Sequence, residues 1–149
     1  MTLDGRLTLP GLGLSLVPLD VWSLTPLPPG LPAAGLGVYL RHARSGVQLN
    51  MRVLPAQPAL PADDFEAAST QYLDGNWSGP RRITIFAIGG GLHGATGVYD
   101  EAMPGAIVRE WLVSDGRRFV NAATYATARQ WEDRLLEDCE ALLRSIRIE

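Results

Sequence analysis

From Thr127 to Ile146 apolar side chains recur at helical spacing, with Trp131, Leu135, Leu136, Cys139, Leu142, Leu143 and Ile146 on one stripe and Glu132, Asp133, Glu137 and Glu140 facing away. Thr127 and Gln130, three residues apart, form the capping-box pattern that starts such a helix. Glu140 and Arg144 are spaced to pair one turn apart, acid first, in the order that suits the helix dipole. A helix with one apolar stripe buries it only against another layer, so the rest of the chain must supply a sheet. Removing Trp131 from that interface is expected to cost about 3–5 kcal/mol.

The sheet is visible in the alternation of the sequence. Ile107 to Val113 and Phe119 to Tyr125 form the clearest hairpin, joined at Asp115-Gly116. A second hairpin joins Val38–His42 to Val47–Val53 through Arg44-Ser45-Gly46, with Val47, Leu49, Met51 and Val53 inward and Gln48, Asn50 and Arg52 outward. Leu12, Leu14 and Leu16 read as a first strand. Arg82 to Ile88, apolar and β-branched, reads as a well-buried strand running into Gly89, Gly90 and Gly91, and Ala95 to Tyr99 as a weaker one ahead of the Pro104-Gly105 turn. Between the strand groups Asp63 can cap a helix with Glu66 three residues on; Phe65, Ala68, Tyr72 and Leu73 then share a face, and Gly75 ends it. Prolines and glycines from Thr25 to Gly37, and again from Pro55 to Pro61, exclude helix and central strand and mark loops. The order of strands, helix, strands, helix with hairpin links predicts an α+β fold: one antiparallel sheet flanked by two main helices, an α/β/α sandwich in a single domain over 1–149.

The bulk composition narrows the chemistry. With 149 residues and 46% hydrophobic content the chain can bury a real core as one domain. All 13 basic residues are arginine, which excludes lysine Schiff bases and a phosphate-loop lysine, and their scatter over a chain of net charge -3 argues against nucleic-acid binding. No stretch approaches the roughly 20 apolar residues that cross a bilayer, and Met1 to Arg6 followed by Pro10, Gly11 and Gly13 lacks the form of an export signal. A single cysteine, Cys139, on the apolar stripe requires no oxidising compartment. A cytoplasmic protein is expected.

The apparent motifs carry little chemistry. Gly89, Gly91 and Gly94 match a dinucleotide fingerprint and follow a strand, but Ala95 to Gly105 is strand-like, so no helix N-terminus faces a pyrophosphate and a glycine-rich link between strands is the better reading. His42 and His93 have no obvious carboxylate or thiol partner by spacing and read as solvated; convergence of His93 with Asp100 or Glu101 would be needed for a hydrolase. There is no Gly-x-Ser-x-Gly elbow. Asp63-Asp64 sits at a helix start, which favours negative charge, and Arg81-Arg82 and Arg117-Arg118 mark strand ends. Trp77, in a polar loop bounded by glycine and proline, could anchor a partner or fold back on the core. Trp77, His93, Tyr99 and Met103 form the candidate binding set; no catalytic residue, metal ligand or cofactor is expected.

Three features together, Leu16-Val17-Pro18 followed by Trp22, the hairpin Trp111-Leu112-Val113-Ser114-Asp115-Gly116 leading to Phe119 and Ala123-Thr124, and the closing Leu143-Arg144-Ser145-Ile146, resemble the PsbP-like superfamily. That superfamily holds photosystem accessory proteins, a Ran-binding nuclear-transport factor, bacterial DcrB-like proteins and the effector-associated chaperones of type VI secretion. The resemblance, spread over most of the chain, implies an antiparallel sheet between helices and a role in binding without catalysis, and it transfers no site residue. It directs expectation to the cytoplasmic branches: a protein-binding adaptor or secretion-associated chaperone that holds an apolar segment of a secreted effector, with a homodimer doubling the surface and no direct membrane insertion. The alternative is a small-molecule or lipid-binding domain with the glycine and proline loops at the rim of a pocket.

Overall fold

A computed structural model describes residues 5–9, 12–25, 37–54 and 62–149, apart from the side chains of residues 62–64 and 76. The proline-rich loops expected between Thr25 and Gly37 and from Pro55 to Pro61, and the capping role of Asp63, lie outside the described residues.

Seven antiparallel strands form the main sheet in the order β3 (Trp22–Thr25), β4 (Gly37–His42), β5 (Gln48–Val53), β9 (Phe119–Ala126), β8 (Ala106–Ser114), β7 (His93–Met103) and β6 (Arg81–Ile85). A small sheet of β1 (Leu7–Leu9), β2 (Leu14–Leu16) and β10 (Arg147–Ile148) joins the two ends of the described chain. The strand expected first, over Leu12 to Leu16, is therefore the second: it begins at Leu14, with Leu12 in the turn after β1, and gains two partners that its own alternation did not announce.

Alternation along β8 separates the two faces. Trp111 and Val113 point into a core shared with Leu40, Leu49 and Met51, the small sheet, and the C-terminal helix residues Leu135, Cys139, Leu142 and Leu143. Leu112 points the opposite way, into a second core with Phe65 and Leu73 of helix α1 (Ala62–Asn76). The α+β sandwich follows: α1 on one face, the C-terminal helical segment on the other.

That segment begins as expected, with the Thr127 hydroxyl accepting from the Gln130 amide at 3.2 Å and the Gln130 side chain accepting from the Thr127 amide at 2.9 Å. It is not one helix. A short α2 (Ala128–Gln130) leads into a wide turn (Trp131–Leu135), where Asp133 and Arg134 leave helical geometry, Arg134 at φ 66°, before α3 (Leu136–Arg144). The break leaves Trp131 half-buried, its indole N–H on the Ile107 carbonyl at 3.1 Å and its ring 5.3 Å from the Arg109 guanidinium. Arg144 does not pair with Glu140; its Nε donates to the Ala87 carbonyl at 3.1 Å and its guanidinium lies 4.7 Å from the Phe86 ring.

Two strand expectations are reversed. The stretch from Arg82 is not a buried strand but the sheet edge, where Arg82, Thr84 and Ile85 are exposed and only Phe86, just past the strand, is fully packed. Ala95 to Tyr99, expected to be weak, lies inside the longest strand, 11 residues, hydrogen-bonded on both sides. Glycines and small residues lower the propensity of β7, but Gly94 lets the Phe86 backbone and Gly97 the Tyr99 ring lie close against the strand, and packing decides.

Candidate functional site

Beneath α1 lies a buried carboxylate. Glu110, 2% exposed, accepts at Oε2 from the indole N–H of Trp77 at 3.0 Å and at Oε1 from the Asn121 amide at 2.7 Å. Arg52 donates to the Asn121 carbonyl oxygen at 3.2 Å and to the Tyr72 hydroxyl at 3.1 Å, which extends the network to the surface. Trp77 has thus folded back, its ring 6.3 Å from that of Tyr99. Tyr99 is fully buried and donates its hydroxyl to the Leu73 carbonyl at 2.6 Å. Burial, reinforced by the Glu110 charge, pushes the Tyr99 hydroxyl far above its ordinary range, so it stays protonated. Trp77 and Tyr99 consequently belong to the joint between α1 and the sheet, and Tyr99 has no surface to offer a partner.

His93 stands apart from them, half-buried at the first position of β7 with its ring 5.6 Å from Phe65. It lines a shallow groove of about 250 Å³ with Glu66, Ile85 and Phe86. No acid among the described residues hydrogen-bonds it. Asp100 is seven residues up the same strand, about 23 Å away at the usual rise, and pairs with Arg82 at 3.6 Å. The convergence a hydrolase reading required is absent. The glycine run next to it is a hairpin turn: Gly90 and Gly91 take φ of 69° and 76° and the Leu92 amide reaches the Gly89 carbonyl at 3.3 Å, the geometry of a type I′ turn.

The other histidine is where sequence spacing misled. His42 is fully buried, with Nε2 2.7 Å from Oδ2 of Asp138 and Nδ1 2.8 Å from the Ser45 hydroxyl. Because the Ser45 backbone N–H also points at Nδ1, at 3.3 Å, that nitrogen accepts and the ring proton sits on Nε2, donated to Asp138. The Trp22 indole donates to the Asp138 carbonyl at 3.2 Å, and its ring lies 5.0 Å from the imidazole. Ser, His and Asp are therefore adjacent, but the serine hydroxyl sits within the hairpin turn, accepting from the Val47 amide at 3.2 Å, and none of the three lines a groove described here. The trio ties the β4–β5 hairpin to α3. The partner lies 96 positions away in the chain, beyond any local spacing rule. Cys139, next to Asp138, is fully buried, and burial raises its thiol pKa, which suppresses the thiolate. Among the described residues no group of three His, Cys, Asp or Glu side chains could hold a metal ion.

Among the described residues, part of one sheet face is left open. α1 packs on β7 and β6, and no described element crosses the same face over β3, β4 and β5. Register fixes which side chains stand there: Arg41 between Ser23 and Gln48, Tyr39 between Thr25 and Asn50, and Asn50 opposite Ala123. At one end a groove of about 680 Å³ runs between Tyr39, Gln48 and Tyr125 and the Pro104–Gly105 turn. Tyr125 is 57% exposed. Met103, half-buried opposite Ala106, flanks that turn and is the member of the expected binding set nearest this groove.

No protein-family model and no curated protein matches the sequence. Among solved structures, cyanobacterial PsbP (CyanoP) from Synechocystis sp. PCC 6803, determined in solution, is similar over 97% of this chain and 91% of its own, with a TM-score of 0.51 and 11% identity. The fold is PsbP-like. At that identity the likeness concerns architecture alone, and a PsbP-like fold assigns no site residue. No described helix is long and apolar enough to cross a membrane.

Proposed function

We propose that this chain is a non-catalytic protein-binding adaptor, and in the narrower form a chaperone for a segment of a secreted effector. The observation that carries the reading is the part of one sheet face that no described element crosses: α1 packs over β6, β7 and the facing ends of β8 and β9, while Tyr39 and Tyr125 stand beside a groove of about 680 Å³. Aromatic side chains on a rigid sheet are what a docking surface needs, since they supply contact area with little entropy to lose. The partner segment lies on this face, with Met103 at its border, and Trp77 supports the face from beneath α1 instead of touching the partner.

Purification of the tagged protein from its own host, with cross-linking and mass spectrometry, tests the reading. One protein recovered near one-to-one and cross-linked to residues of β4, β5 or β9 supports it. A second groove, about 660 Å³ between Gly89–Gly91 and the arginines Arg144 and Arg147, favours the small-molecule alternative. A small molecule recovered without any protein would replace the adaptor reading with that one.

A further inference from the structure

The chain holds 16 acidic residues, yet none lies between Asp20 and Asp63. That stretch contains Arg41, Arg44 and Arg52, and it supplies all of β3, β4 and β5; β9 carries no acid either. Apart from the start of β9, where Phe119 stacks on Phe65 of α1, and the Arg52 bond to Tyr72, these acid-free strands are the ones over which no described element packs on the α1 side of the sheet. Three arginines elsewhere meet carboxylates: Arg81 with Asp74 at 2.9 Å, Arg82 with Asp100 at 3.6 Å and Arg134 with Glu137 at 3.5 Å. On the open face they do not: Arg41 is exposed with no ion-pair partner among the described residues, and Arg52 spends its bonds on the neutral Asn121 and Tyr72. A molecule of net charge -3 has thus kept one face positive.

We infer that this face docks an acidic, extended polypeptide segment, a specification that rests on the adaptor reading above. Arg52 pairs opposite Gly37, four residues along β4 from Arg41, so the two guanidiniums are rooted about 14 Å apart. That span matches side chains i and i+4 of an extended chain. Carboxylates at those positions meet Arg41 and Arg52, Tyr39 and Tyr125 pack the intervening side chains, and Gln48 and Asn50 offer amides to the segment's backbone. A nucleic acid fits less well, because a polyanion is repelled by the molecule's net charge and finds only two phosphate partners on the strands.

The test is fluorescence anisotropy with a labelled ten-residue peptide of Thr, Val and Leu carrying two glutamates four apart, beside the same peptide with lysines and an oligothymidylate of equal length. The glutamate peptide is expected to bind below about 1 mM, to weaken as salt rises from about 50 to 300 mM, and to lose about tenfold in affinity to the Arg41→Gln, Arg52→Gln double variant. Arg41→Gln alone, at an exposed position with no ion-pair partner among the described residues, reads the same effect free of any folding change and should give about half of it on a logarithmic scale. Equal binding of the lysine peptide, tighter binding of the oligonucleotide, no binding at 1 mM, or no loss in the variants overturns the inference. A host partner cross-linked to another surface, with the glutamate peptide silent, leaves the adaptor reading standing and removes this one.

Discussion

Gly97 sits opposite both Ile83 and Glu110 and carries no side chain because Tyr99 occupies its space. A Cβ there would stand 2.6 Å from the Tyr99 hydroxyl oxygen, closer than any real contact, and the ring cannot retreat without breaking its bond to Leu73. Gly97→Ala is therefore expected to cost about 1–3 kcal/mol, read as a lower urea midpoint; an unchanged midpoint would mean that Tyr99 moves freely and that the α1 joint is softer than described. Asp115 shows the opposite case, a charge held in place by backbone. Burial pushes its carboxyl up, but the Arg118 and Arg117 amides, donating to Oδ1 at 2.8 and 2.9 Å, and the Arg118 charge outweigh this and leave the pKa below the usual range. A carboxylate with a depressed folded pKa stabilises the fold above its unfolded pKa of about 3.9 and loses that contribution as pH falls through the folded value. Asp115→Asn keeps an acceptor but removes the charge, so the stability gap to the parent chain should be constant near neutral pH and close in acid. A gap that persists unchanged at pH 2 would refute the assignment.

At the scale of elements, the C-terminal segment shows what local pattern does and does not determine. Its capping box and its stripe were legible, because both depend on residues within one or two turns of each other. The break at Arg134 was not, since nothing in the local sequence demands a left-handed residue there; the kink arises as Trp131 meets Ile107 while Leu135 onward packs on the sheet. A non-glycine residue at φ 66° carries a penalty that glycine avoids, and the 3.5 Å pair with Glu137 is exposed and contributes little. Arg134→Gly should stabilise the protein by about 0.5–1 kcal/mol, and a straight helix in solution would instead make it destabilising by a similar amount. Trp131, half-buried beside the same kink, should cost about 2–3 kcal/mol on replacement by alanine, below the range for a fully buried indole. The β4–β5 and β8–β9 hairpins were legible from alternation, but the second closes through a four-residue loop, Ser114 pairing with Phe119, because Asp115 organises the turn through its side chain. Of the small sheet only β2 was legible, from Leu14 and Leu16; β1 and β10 were not, because strands of three and two residues carry too short an alternation and β10 pairs with β2 from far along the chain.

The whole molecule combines two surfaces that sequence treated alike. The open face of β3, β4, β5 and β9 was readable only in part, since inward and outward residues of β5 were evident while the coincidence of an acid-free stretch with the strands α1 leaves bare needed the topology. The His42 to Asp138 link and the burial of Glu110 likewise join positions far apart in sequence, which explains why the expected set of Trp77, His93, Tyr99 and Met103 did not converge. The second surface is the edge of the sheet. β6 ends it with Ile85 55% exposed, Ile83 half-exposed and, among the described residues, one row of backbone groups without a strand partner, which is a template for pairing with another chain. Arg81 and Arg82 guard one end of the strand, but both spend their charge within the molecule, on Asp74 and Asp100. Ile85 is therefore the unguarded position, and Ile85→Lys tests it: a charge at an exposed edge should leave the urea midpoint within about 0.5 kcal/mol of the parent while slowing concentration-dependent association in light scattering. A large loss of stability would show Ile85 to be part of the α1 interface, and unchanged association with unchanged stability would place the sticky surface elsewhere, with the exposed Leu24 on the opposite edge strand as the next position to charge.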